Sequence, residues 1–121
     1  RRETVPPSYQ GPDRPDLLLL SWGSSQGVVQ ETAKMLHSDS RQVATLHFSQ
    51  VWPLVPEQFL QRLQQAESVI AVESNATGQF ARLLRRETGF DIAQQVLRYD
   101  GHPLTTDFIL ETLERLNSSE V

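Results

Sequence analysis

Val69-Ile70-Ala71-Val72-Glu73-Ser74-Asn75-Ala76-Thr77-Gly78-Gln79-Phe80 is the stretch whose reading decides the fold. β-Branched and small apolar residues from Val69 to Val72 run into the polar Glu73-Ser74-Asn75, and Thr77-Gly78 then opens an amphipathic segment that continues to Gly89. That order reads as a strand, a polar turn and a helix start. In open α/β sheets, ligands and partners dock where the carboxyl end of a strand passes into a helix. Glu73, Asn75, Gly78 and Gln79 are therefore candidate contact residues, although such a tip names no reaction by itself.

Working outward, the same alternation recurs. Leu17-Leu18-Leu19-Leu20-Ser21-Trp22 is a continuously apolar run, as expected of a central strand whose sheet is covered on both faces. Gly23-Ser24-Ser25-Gln26-Gly27 is a small-residue turn, after which Val28, Val29, Thr32, Ala33 and Leu36 fall at helical spacing up to a stop near Ser38-Asp39-Ser40. Val43 to Phe48 predicts a second strand, and Pro56 opens a helix with Phe59, Leu60 and Leu63 on its apolar side. The helix after Glu73 buries Phe80, Leu83 and Leu84. It carries Arg82, Arg85 and Arg86 toward its carboxyl end as a solvated face, with Gly89 as a left-handed cap. Val96 to Tyr99 is a fourth strand. Beyond Asp100-Gly101-His102-Pro103, Thr105 or Thr106 caps a last helix with Asp107 in its first turn and Ile109, Leu113 and Leu116 on one face. Strands alternating with helices in this way predict an α/β fold of three αβα layers around a mostly parallel twisted sheet of about four to five strands.

The 121 residues allow one core, so residues 17–121 are expected to form a single α/β domain. Residues 1–16 hold four of the seven prolines and read as an extended arm or interdomain linker, cut out of something longer. A net charge of −4 argues against a general binder of phosphate backbones, so no nucleic-acid partner is expected. With no cysteine, the chain has no disulfide, no thiol nucleophile and no cysteine-held metal centre. His37, His47 and His102 lack zinc-type spacing, and no metal site is expected. The longest apolar run, Leu17 to Leu20, is far short of the ~20 residues that span a bilayer, so no membrane helix is expected.

Three constellations bear on chemistry. Gly23-Ser24-Ser25-Gln26-Gly27 fits G-x-S-x-G between a strand and a helix, which would make Ser25 a nucleophile with Asp100 and His102 following in triad order. Against this, Asp100 and His102 share one tight turn, and only an arm precedes Leu17, where a hydrolase would have earlier strands. The alternative is a turn of small residues leading into a helix. Secondly, the amides that open that helix would cradle a phosphate or CoA-like anion beside Ser24, Ser25 and Gly27. Thirdly, Glu73 and Asn75 would serve as an acid or base and a holding group, or else Asn75 forms a turn while Glu73 ties to an arginine or to helix amides. His47 reads as a sheet-face histidine, and Trp22 and Trp52 as core or interface anchors.

Leu17 to Gly27 (LLLLSWGSSQG), Val51 to Pro56 (VWPLVP), Val72 to Phe80 (VESNATGQF) and Arg98 to Leu104 (RYDGHPL) together resemble the carboxyl-terminal, transketolase-like domain of the α subunit of 2-oxoacid:ferredoxin oxidoreductases, the 2-oxoglutarate type above all. The resemblance runs from about Gly11 onward. It includes an intact V-E-x-N-x-x-G-Q pattern from Val72 to Gln79, while Ala76 departs from the aromatic residue that commonly follows the asparagine. His102 stands where an arginine is expected, so a partner contact there is weaker or pH-dependent. The resemblance implies a cytoplasmic parent enzyme that decarboxylates a 2-oxoacid on thiamine diphosphate, passes electrons through an iron–sulfur cluster to ferredoxin, and makes an acyl-CoA. It further implies that this domain is non-catalytic and packs against other α-subunit domains and the β subunit. Glu73, Asn75, Gly78, Gln79, Asp100 and His102 are then partner contacts, and no catalytic residue is carried over.

Overall fold

In a computed structural model of the chain, the described residues are 7–22, 25–48, 55–73, 79–90, 92, 94–97 and 104–119. Four leucines in sequence, Leu17 to Leu20, leave strand β2 (Leu17–Trp22) no solvent-facing side, and each of the four is at most 1% exposed. Such a strand is stable only with a neighbour on each edge and a helical layer on each face. β2 has both. It pairs in parallel with β3 (Val43–Phe48) on one side and with β4 (Ser68–Glu73) on the other. β4 in turn pairs in parallel with β5 (Gln94–Leu97), in a register that sets Val72 opposite Val96 and Glu73 opposite Leu97.

The period-2 alternation of the strands sorts their side chains into two cores. Leu18, Leu20, Ala44, Leu46, Phe48 and Ala71 face the layer made by α2 (Leu60–Gln65) and α3 (Gln79–Thr88), meeting Leu63, Phe80, Ala81 and Leu84. Leu17, Leu19, Val43, Ile70, Val72 and Val96 face α1 (Gln26–Leu36) and α4 (Thr106–Ser119), meeting Val29, Ala33, Ile109 and Leu113. The predicted three-layer α/β arrangement is the one observed. After β2 the chain winds outward through α1 to β3, then crosses back over β2 to reach β4. The reversal of direction lies between β2 and β4, and it brings Trp22 and Glu73 to the same carboxyl edge.

Local chemistry accounts for the element ends. Gly89 takes a left-handed φ of 78° and its amide closes α3 on the Arg85 carbonyl at 2.8 Å, as its sequence position predicts. Thr105, rather than Thr106, caps α4, its Oγ1 accepting the Phe108 amide at 3.1 Å. Pro56 opens a single 3-10 turn, Pro56–Gln58. Phe59 breaks the backbone with φ −150° before α2 begins, so the predicted single helix is divided.

The proline-rich arm reads as extended linker, yet β1 (Ser8–Gln10) pairs antiparallel with β3 as the fifth strand. Its side chains explain the docking. Tyr9 packs on the α2/α3 core, the Arg62 guanidinium lies 3.9 Å from its ring centroid, and Arg62 also pairs with Asp13 at 2.8 Å. At Gly11 the backbone passes so near β3 that an added Cβ would stand 2.6 Å from the Ala44 Cβ, at a φ of 127° that disfavours side chains. Leu19→Ala should lower unfolding free energy by about 2–5 kcal/mol in urea denaturation. Gly11→Ala should also destabilise, whereas Gly27→Ala, inside α1 with no atom within 4 Å of the new carbon, should be neutral or stabilising.

Candidate functional site at the carboxyl edge of the sheet

Parallel strands deliver their carboxyl ends to one edge, and here those ends are Trp22, Phe48, Glu73 and Leu97. Period-2 alternation puts Glu73 on the α3 side of β4, two residues after Ala71. It is 1% exposed, and its carboxylate is spent on the amino end of α3. Oε1 accepts the Phe80 amide at 2.9 Å and Oε2 accepts the Ala81 amide at 3.1 Å. These are two of the four amides that a helix start leaves without intrahelical partners, and a carboxylate there also meets the positive end of the helix dipole. Of the two readings of Glu73, the tie to helix amides is the one the geometry supports.

Rings close around the same residues. Trp22 stacks on Phe80 with centroids 6.0 Å apart, Phe80 meets Phe48 edge-on at 4.8 Å, and Phe48 meets Phe59 at 5.0 Å. The aromatic cluster joins β2, β3, α3 and the turn before α2, which fixes the heights of these elements at the carboxyl edge. Trp22 is thus a core anchor, while Trp52 lies outside the described residues.

Ser25 is used locally. Its Oγ donates to the Trp22 carbonyl at 2.9 Å, folding the turn back on itself, and it makes no side-chain cap to α1. The hydrolase reading has no support from this arrangement, because the hydroxyl proton is already committed to the backbone. Gln79 begins α3. Ser24, Asn75, Gly78, Asp100 and His102 lie outside the described residues. Among the described residues no three His, Asp or Glu side chains gather as metal ligands.

One pairing escaped the sequence reading. Register sets Ser21 beside His47 on adjacent strands, and the Ser21 hydroxyl lies 2.8 Å from His47 Nδ1, with both residues buried. His47 is a sheet-face histidine, as predicted, but Ser21 looked like any strand residue because its partner is 26 positions away. Burial pushes the His47 imidazole below its ordinary value of 6.5.

No protein-family model matches the chain. The α subunit of 2-oxoacid:ferredoxin oxidoreductase 1 of Aeropyrum pernix is 30% identical over 105 residues, 85% of this chain and 16% of that subunit. The α subunit from Saccharolobus solfataricus is 24% identical over 96 residues. The α chain of a probable 2-oxoacid ferredoxin oxidoreductase from Thermoplasma acidophilum superposes with a TM-score of 0.62 at 29% identity, covering 92% of this chain and 96% of that one. The chain is a relative of the 2-oxoacid:ferredoxin oxidoreductase α subunits. It spans about a sixth of the length of those curated relatives. In fold it matches a 2-oxoglutarate:ferredoxin oxidoreductase from Magnetococcus marinus, solved with 2-oxoglutarate, coenzyme A and succinyl-CoA bound (TM-score 0.81, 24% identity, 90% of this chain and 19% of that one). It also matches a split-gene transketolase, an inactive β4 tetramer (TM-score 0.63, 17% identity, 93% of this chain and 38% of that one). The transketolase-like fold expected from the sequence is therefore present, and among the described residues no helix is long and apolar enough to cross a membrane.

Two measurements test the oxidoreductase-like edge. Glu73→Gln keeps the side-chain shape but offers one acceptor to two amides, so urea unfolding should show a loss of about 1.5–3 kcal/mol. An unchanged midpoint would remove the structural role of the carboxylate. His47 takes up a proton more readily in the unfolded chain than in the folded one. Its contribution is complete above about pH 6.5 and is lost as pH falls below that through the lowered folded value. Between pH 7.5 and 5 the wild type should lose stability relative to His47→Gln, with a slope of at most about 1.4 kcal/mol per pH unit.

Proposed function

We propose that the chain is a non-catalytic packing domain of a 2-oxoacid:ferredoxin oxidoreductase α subunit. The whole enzyme decarboxylates a 2-oxoacid, of the 2-oxoglutarate type, to an acyl-CoA and hands electrons to ferredoxin. Its thiamine diphosphate and iron–sulfur cluster sit in other domains or in the β subunit. The observation that carries this reading is Glu73, the one fully buried carboxylate among the described residues, which is consumed by two helix amides where an acid or base would need to face substrate. The described residues fit neither iron–sulfur nor magnesium-diphosphate chemistry. There is no cysteine in the sequence, and the described residues bring no acidic or histidine cluster together.

The proposed contact residues are Glu73, Asn75, Gly78, Gln79, Asp100 and His102, assigned from the family resemblance to neighbouring α-subunit domains and the β subunit of a cytoplasmic complex. A second contact is favoured by the amino end of α1. That helix has no acidic residue in its first turn and no side-chain cap from Ser25, and the space around Gly27 is open, so its amides remain for the phosphates of CoA beside Ser24 and Ser25.

In the complete enzyme, Asn75→Ala should leave the α subunit folded by circular dichroism. Co-elution with the β subunit in gel filtration should drop several-fold. Full assembly with the variant would sink the contact role, and loss of folding would make Asn75 a turn residue instead.

A further inference from the structure

Beside the amino half of β3, away from the carboxyl edge, a cleft of about 350 Å³ opens between α1, β3 and the arm. It exists because the sheet is wider than its helical cover. α1 packs through Val29 and Ala33 against β2 and β3, while β1 extends the sheet one strand further. Gly11, whose backbone passes close to Ala44, closes the outer wall. A volume of this order suits a small organic molecule.

The lining is rich in hydrogen-bond donors. Gln30, Lys34 and His37 follow one another at spacings of four and three, which puts them on one flank of α1 beside Ala33. The Val43 amide donates to His37 Nδ1 at 3.1 Å, so the neutral ring carries its proton on Nε2 and presents a donor there. From the sheet, register sets Gln10 opposite Thr45. Thr45 lines the cleft while only 4% exposed, and among the described residues its hydroxyl makes no hydrogen bond. A hydroxyl so buried is costly until a ligand or water engages it. The described lining residues include no acidic side chain, and Lys34 supplies their one fixed positive charge. Ala33 and Val43 add an apolar strip.

We propose that this cleft binds a short apolar monocarboxylate, its carboxylate held among Lys34, His37 and Thr45 and its chain lying on Ala33 and Val43. The chemistry selects this class. A single ammonium with neutral donors balances one negative charge, whereas a phosphate group brings nearly two at neutral pH. A hydrocarbon body covers the apolar strip and loses water in doing so. The inference rests on the cleft alone and stands apart from the reading of the chain as a packing domain.

Equilibrium dialysis of radiolabelled hexanoate against the native-length protein tests it. Saturable binding with a dissociation constant of about 1 mM is expected, weakened about tenfold by Lys34→Gln and largely restored by Lys34→Arg. Circular dichroism should be unchanged in both variants, because Lys34 is exposed. Thr45→Val, which conserves the volume and removes the hydroxyl, should also weaken binding several-fold. Hexylammonium, with the charge reversed, should not displace hexanoate. Absence of saturable binding would overturn the proposal, as would equal affinity of wild type and Lys34→Gln. Displacement by inorganic phosphate at lower concentration than by unlabelled hexanoate would also overturn it.

Discussion

A strand of four leucines buried on both sides is the constraint from which the rest follows. β2 cannot lie at an edge or under one layer, so the chain must supply a paired strand to its left and right and helices above and below. Every crossover in the molecule answers that need. α1 covers one face on the way to β3, the segment bearing α2 covers the other on the way back to β4, α3 extends that second layer beside β4, and α4 extends the first over β5. The carboxyl edge, with Trp22 and Glu73 brought to the same level, is a consequence of this winding.

At that edge the balance between desolvation and hydrogen bonding decides what Glu73 can do. Burying an unpartnered carboxylate would be strongly unfavourable, and two charge-assisted bonds from the start of α3 offset the loss of water. The same bonds fix where α3 begins and so where Phe80 meets Trp22 and Phe48. A carboxylate bound in this way holds a helix to a strand. The aromatic cluster together with the Glu73 contacts makes this edge rigid.

Legibility followed the range of the interaction. Periodicity within ten residues marked β2, β3, β4, α1, α3 and α4, and single-residue chemistry marked the Gly89 cap and narrowed the α4 cap to Thr105 or Thr106. The short strand β1 was hidden, because Ser8–Gln10 sits among prolines and owes its conformation to β3 and to Arg62, more than 50 positions away from Tyr9. Ser21 and His47 met only through parallel register. The division of the Pro56 helix came from Phe59 dropping into the core against Phe48, a packing demand absent from local propensity.

The sequence by itself determined the α/β class, the central place of Leu17 to Leu20 and the kinship carried by the Val72 to Gln79 pattern, because these depend on side-chain polarity repeated at short spacing. Only the tertiary structure decided that Glu73 is a helix anchor, that Ser25 turns back to Trp22, and that Ser21 holds His47. Each of those roles depends on which hydrogen-bonding groups are brought within about 3 Å once water has been excluded, and residue order alone leaves that distance open.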